Sequence, residues 1–425
     1  MAPFSLVPAE VVDQISKFVP RSDLASLCLV NKSFHRSAEL ILYYEISIIW
    51  DHKHLNPPII PLLRTLIRRP ELLIRIDRLH LKGIYFDDDF DRPLLDTSGI
   101  PLDEFISSIN KTDMPYISLW VDRLRSGSMD AFAGLLLAGL TKLSYLDITH
   151  NFINGDDILG KVLLSKVFGP LPQFERLKRV IYTKRLDRQV WERNEIFPQT
   201  MSLFYLPTTV KDIMVTMSNP EHFQWPGEEP YLTHLTSLKI GWCIEPFIWR
   251  ILANTPNLKS LSWSWIYHDS PNEEWEEPLL DFDEITEGLL FVKDTLETFL
   301  FSMEIGGDGY ERKIQDMEFS GSFRGLREME NLKFLSVPLV CLTGFEGEPM
   351  PLEQSIPTAL EVIHLLWQDI SSFGVEIEWY DEDLLGLVRP MLQPLVDQCP
   401  RLHLLTAVNG KLEIRTESCA PDCHP

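Results

Sequence analysis

The sequence predicts an α/β chain: three short helices, then an irregular solenoid of parallel strands with outer helices. Three observations lead there. The opening residues form short amphipathic segments broken by Pro20 and Asn31. A unit of apolar, two residues, apolar, one residue, apolar then recurs along the chain. Several of these units follow a helical pattern that stops at a proline, which lacks an amide donor and turns its predecessor away from helix.

The helices come first. Pro8 suits a first helical turn, and Val11, Ile15, Phe18 and Val19 then fall on one face before Pro20 ends the segment. Ser22 and Asp23 are good N-cap types for a second helix carrying Leu24, Leu27 and Cys28. Asn31 and Ser33 punctuate again, and Phe34, Ala38, Ile41 and Leu42 mark a third. Helices this short cannot bury their apolar faces within roughly 45 residues. Their core must be completed by the following domain, another chain, or both.

The array follows. Its units are Ile76/Leu79/Leu81, Leu143/Leu146/Ile148, Leu177/Val180/Tyr182, Val210/Ile213/Val215 and Leu235/Leu238/Ile240. It continues as Leu258/Leu261/Trp263, Leu296/Phe299/Phe301, Leu332/Leu335/Val337, Leu360/Ile363/Leu365 and Leu402/Leu405/Ala407, with Tyr116/Leu119/Val121 as a weaker copy. Steps between central residues run from 23 (Leu238 to Leu261) to 42 (Ile363 to Leu405). Leucine-rich repeats span ~20–29 residues, so the pattern reads as a degenerate leucine-rich-repeat solenoid with insertions. Helical faces precede the prolines: Leu62, Leu63, Leu66 and Ile67 before Pro70, Phe247, Ile248, Ile251 and Leu252 before Pro256, Leu392, Leu395 and Val396 before Pro400. Each helix–strand unit can bury its face only by stacking on its neighbours. An ordinary multilayer α/β domain with Leu-rich strands is the alternative architecture.

Composition limits the function. The formal charge is −23, from 62 acidic and 39 basic residues, which argues against a nucleic-acid-binding surface. A basic or neutral protein partner fits better. Met1 to Glu10 lacks the pattern of a secretory signal, and the apolar run Ala131 to Leu140 is too short to span a bilayer. Six scattered cysteines are not a disulfide scaffold, and the sequons at Asn31 and Asn110 carry no weight without a secretory route. A cytosolic or nuclear protein with no membrane partner is expected.

Acid is clustered. Asp87, Asp88, Asp89 and Asp91 form one group, and Glu376, Glu378, Asp381, Glu382 and Asp383 another. The longest acidic stretch, Asp269 to Glu287, contains Trp275 and Phe282 but no Lys or Arg, and reads as a long binding loop or a solvated one. As a binding loop it would use Glu273, Glu274, Glu276 and Glu277 to steer a Lys- or Arg-rich segment, and Trp275 and Phe282 to anchor it. Cys419, Cys423 and His424 have no second ligand pair, so no metal is expected, and Gly306-Gly307-Asp308-Gly309 reads as a turn. No nucleophile elbow, zinc-protease motif or kinase signature occurs. Neither enzymatic activity nor a cofactor is expected.

The opening segment carries a family resemblance. The run Val7-Pro8-Ala9-Glu10, the aliphatic helix through Ile15, Asp23-Leu24, Leu27-Cys28-Leu29-Val30, Lys32 and Phe34 resemble an F-box. Val7 stands where that family usually has Leu. Segments such as Leu62 to Leu81 and Ala253 to Trp263 resemble the divergent repeats of fungal F-box proteins. Asn151 after Ile148, and Cys243 after Ile240, sit near the position such repeats use to satisfy turn amides.

The resemblance implies that Val7, Pro8, Ile15, Leu24, Leu27, Val30 and Phe34 form or support an interface with the adaptor of a cullin-based SCF ubiquitin ligase. It implies an F-box over residues 1–50, a repeat domain over 51–410 that holds a protein substrate, and a tail over 411–425. An F-box scaffold acting outside a ligase, and an enzyme with its site among the insertions, are the alternatives.

Overall fold

The computed structural model describes residues 8–83, 92–152, 158–183, 201–217, 225–241, 245–268, 279–306, 318–345, 348–366, 384–407 and 412–415. The chain divides into two compact units, Met1–Arg185 with Phe197–Val210, and Leu186–Ile196 with Lys211–Pro425. Among the described residues, no helix is long and apolar enough to cross a membrane.

The first unit opens with helices α1 (Ala9–Lys17), α2 (Arg21–Cys28) and α3 (Lys32–Leu42). The sequence offered Ser22 and Asp23 as N-caps for α2. The helix begins at Arg21 instead, because the extended backbone of Pro20 already sets the first turn. Asn31 caps α3 as its short side chain allows, its Oδ1 accepting the amides of Ser33 at 2.9 Å and Phe34 at 3.0 Å.

Four parallel strands follow: β1 (Glu45–Ile49), β2 (Arg78–Lys82), β3 (Tyr145–Thr149) and β4 (Arg179–Thr183). The central residues of the recurring unit pair with one another, Ile46 with Leu79, Leu79 with Leu146, and Leu146 with Val180. All are buried. Helices α4 (Ile59–Arg68), α5 (Asp103–Asn110), α6 (Ile117–Arg125), α7 (Met129–Gly139) and α8 (Ile158–Val167) connect the strands.

Tyr116/Leu119/Val121 is not a strand. Val121 and Leu124 face inward from α6 beside Trp120, whose ring nitrogen donates to Ala131 O at 2.9 Å. The spacing of that triplet also fits one helical face, and burial there decides the matter. Among the described residues, three helices therefore lie in the interval between β2 and β3. β1 itself was missed, although Tyr43/Ile46/Ile48 has the same spacing; its first position lies at the end of α3.

The second unit repeats the scheme. Its strands β5 (Asp212–Thr216), β6 (Ser237–Gly241) and β7 (Ser260–His268) pair in parallel, with α9 (Glu245–Leu252) between β6 and β7. A short strand β8 (Leu279–Asp281) and α10 (Phe282–Leu289) precede β9 (Thr298–Gly306), which pairs with β7. After β10 (Glu318–Ser320) come β11 (Phe334–Pro338), α11 (Leu339–Thr343), β12 (Val362–Leu366), α12 (Leu384–Gln398) and β13 (Leu404–Ala407). β9, β11, β12 and β13 are parallel neighbours in chain order. Ile213, Leu238, Leu261, Phe299, Leu335, Ile363 and Leu405 share one register across this sheet. The sheet ends in β14 (Leu412–Arg415), antiparallel to β13, so residues the sequence assigned to a tail belong to the sheet.

Lys166 shows how the outer layer of the first unit is fastened. Its side chain is buried, and its Nζ donates to Leu140 O at the end of α7 and to Pro172 O, both at 2.8 Å. The Phe174 ring lies 4.5 Å from the same nitrogen. The two carbonyls and the ring face favour a cation, yet burial dominates and pushes the lysine down from 10.5 to about 7. Between those values the unfolded chain holds more protons than the folded one, so stability rises with pH from about 7 to about 10.5 and is flat below. Chemical denaturation across that window should show this rise in the wild type and not in Lys166→Met. Equal slopes in the two proteins would mean that Lys166 titrates like an exposed lysine.

Candidate functional site

The helical module is built on few residues. Val12, Leu24, Phe34 and Ala38 form its interior, with α1 and α2 each packed against α3. Ser16 is buried and donates to Val12 O at 2.8 Å, and Ser37 on α3 donates to Asp13 on α1. Those bonds satisfy the polar groups that close packing takes from water.

What the interior leaves outside is apolar. Val11, Ile15 and Phe18 form a stripe along the outer face of α1, with Phe18 86 % exposed. At the end of α2, Leu29 is 87 % and Val30 61 % exposed. Three helices of this length cannot cover both faces, so the second is left for something outside the module.

The residues marked by the family resemblance divide into two groups. Pro8, Ile15 and Val30 are exposed and Leu27 is half-buried. Leu24 is 1 % exposed and Phe34 is also buried, so neither of these two can form the expected interface directly. From the middle of α2 Leu24 points into the contact with α3, so it holds the helices together and offers no surface. Val7 lies outside the described residues. Sequence reading left Val11, Phe18 and Leu29 out of the interface, although all three present large exposed apolar side chains. The adjacent Leu29-Val30 at a helix stop was the available signal.

The acidic segment tells a different story. Glu273, Glu274, Trp275, Glu276 and Glu277 lie outside the described residues, as do both smaller acidic clusters, Cys243, Gly307 to Gly309 and the terminal Cys419, Cys423 and His424. Phe282 does not sit in a loop: it starts α10 and is fully buried. Its ring lies 5.0 Å from Phe345 and 5.1 Å from Phe323, within a cluster that includes Phe301 and Phe319. Asp281 caps α10 by accepting the Asp283 amide at 2.8 Å, and β8 ahead of it pairs with β10. The expected loop thus becomes strand and helix from Leu279 onward. Phe282 gives its surface to the core and cannot anchor a partner. Asn151 is buried and its Nδ2 donates to Trp50 O at 3.2 Å beyond β1, a bond that serves a carbonyl rather than a turn amide.

The module is joined to the first repeat through charge as well as chain. Glu39 on α3 accepts two bonds from the Arg69 guanidinium, Nη2 to Oε2 measuring 3.1 Å. Arg69 also reaches Glu71 at 2.9 Å, and Arg21 at the start of α2 lies 3.4 Å from Glu45 on β1. The hydrogen bonds from Arg69 hold the buried Glu39 carboxyl below its ordinary 4.5, against the upward push of burial. No protein-family model matches the chain, and no curated protein matches it in sequence.

Because folding lowers the Glu39 value, its stabilising effect is present above about pH 4.5 and is lost as pH falls through the depressed folded value. Arg69→Ala should cost about 1–2 kcal/mol, allowing for the half-exposed guanidinium. Hydrogen exchange should then speed up in α3 before it does in β2 and β3. Unchanged protection of α3 would show that the pair contributes nothing there.

Proposed function

We propose that this chain is the substrate-receptor subunit of a cullin-based SCF ubiquitin ligase. The helical module binds the adaptor and, through it, the cullin, while the repeat domain holds a protein substrate. One observation supports the reading above the rest. The residues of the F-box-like pattern separate into those that build the module, Leu24 and Phe34, and those it leaves uncovered, Pro8, Ile15 and Val30. A module that only capped the array would have no use for the second group, since uncovered apolar side chains of this size favour a partner. The parallel helix–strand array behind it suits the second task, because solenoids present extended surfaces.

On this reading the chain performs no chemistry. It raises the local concentration of substrate at a transfer site on other subunits, and the gain in rate comes from proximity. The substrate carries a Lys- or Arg-rich segment steered by Glu273, Glu274, Glu276 and Glu277, with Trp275 as the apolar contact.

Val30→Asp places a charge on the uncovered end of α2 without touching the interior. Affinity purification should lose the adaptor with this variant, while the unfolding midpoint stays within the scatter of the wild type. Full recovery of the adaptor would defeat the reading. Capture of the adaptor by the wild type without any cullin would place the chain in a complex outside the ligase. Replacing the four glutamates by glutamine should slow association of a captured substrate at low salt and have little effect at high salt, where screening already removes the attraction.

A further inference from the structure

Alternate residues of β1 to β4 point away from the buried side of the first unit, and their charges differ from those of the chain as a whole. Register places Glu45, Arg78, Tyr145 and Arg179 side by side across the four strands. Two residues on, His80 stands beside Asp147, and Lys82 reaches Asp147 at 3.3 Å. Arg21 joins this face through Glu45. Among the described residues this face gathers Arg21, Arg78, Lys82 and Arg179 with Glu45 and Asp147, in a chain whose net charge is −23.

The two carboxylates serve to orient the basic groups. Asp147 accepts from His80 Nδ1 at 3.1 Å, and Glu45 lies 3.5 Å from Arg78 Nε. The Arg78 guanidinium rests 4.3 Å from the centre of the Tyr145 ring. Stacking on an aromatic face fixes the plane of the fork and limits the entropy it loses on binding. The side chain of Arg78 donates no hydrogen bond among the described residues and is 38 % exposed. A guanidinium that is held in place, partly open to solvent and not using its outer nitrogens is prepared for an oxyanion. Arg179, exposed on the other side of Tyr145, lies two strand spacings away, about 10 Å.

We propose that Arg78, Arg179 and Lys82, arrayed around Tyr145 on the open face of β1 to β4, bind the anionic side chains of an extended peptide segment. The ligand chemistry is an oxyanion borne on a polypeptide, whether the carboxylates of an acidic run or phosphorylated hydroxyls. That the peptide belongs to a ligase substrate rests on the function proposed above; the binding itself does not.

Labelled ten-residue peptides, one rich in glutamate and one carrying phosphoserines, can be titrated with the full chain and followed by fluorescence anisotropy. At least one should bind at low salt against the net charge of the protein, and the stronger binder identifies the oxyanion. The double variant Arg78→Ala, Arg179→Ala should weaken that binding by about 10-fold or more. Lys239→Ala, which removes a lysine of β6, should leave it unchanged. Arg78→Lys keeps the charge but loses the stacked fork, and should fall between wild type and the double variant. The proposal is overturned if neither peptide binds, or if the double variant binds like the wild type. Adaptor capture is scored separately with Val30→Asp, so a failed ligase reading leaves the peptide result standing, and the reverse also holds.

Discussion

The carbonyl one residue before each of nine strands accepts two backbone amides from the repeat that follows. Tyr44 O takes the amides of Asp77 and Arg78, Asp77 O those of Ser144 and Tyr145, and Ser144 O those of Lys178 and Arg179. In the second unit Lys211, Thr236, Lys259, Glu297, Lys333 and Glu361 do the same for their successors. This junction fixes strand register at its first residue, and a slip of one place would turn every core side chain outward. It therefore sets the burial of the central residues, the rows on the open face and the freedom of all that lies between strands. Side chains reinforce it at several places, among them Glu297, which receives Lys259 at 2.8 Å and Lys333 at 2.9 Å and whose carboxyl is held down at about 2.

That constraint explains what could be read in the chain beforehand. Ten triplets were legible because each must supply three apolar side chains at fixed offsets from the junction, whatever length of chain precedes it. Leu119 was misread because a helix facing the same core uses residues at similar offsets, and only its neighbours Trp120 and Leu124 reveal the difference. β8 and β10 were not legible at all. They are three residues long and owe their existence to each other and to the phenylalanines around Phe282, contacts made between segments far apart in sequence.

The surfaces were legible to a lesser degree. A motif marks residue types, and it cannot say which of two apolar faces on a short helix meets the interior; Leu24 and Val30 look alike in sequence and differ completely in exposure. The basic row on the first sheet was invisible for another reason. Glu45, Arg78, Tyr145 and Arg179 are separated by 33, 67 and 34 residues, and only pairing brings them into line. Charge was conspicuous where it was consecutive, as from Glu273 to Glu277, and hidden where it was assembled.

The pairing of β8 with β10 bears on how such a chain can change over generations. Repeat arrays ordinarily lengthen and shorten by whole units, because each unit touches only those beside it. Here the interval after β7 and the interval after β9 share a two-stranded sheet and one aromatic cluster, and Asp283 from the first accepts the Ser322 amide of the second at 3.2 Å. Neither interval could be duplicated or deleted without unsealing the other. Units elsewhere remain open to gain and loss, whereas this pair is inherited as a single block, and its two halves must accept substitutions jointly.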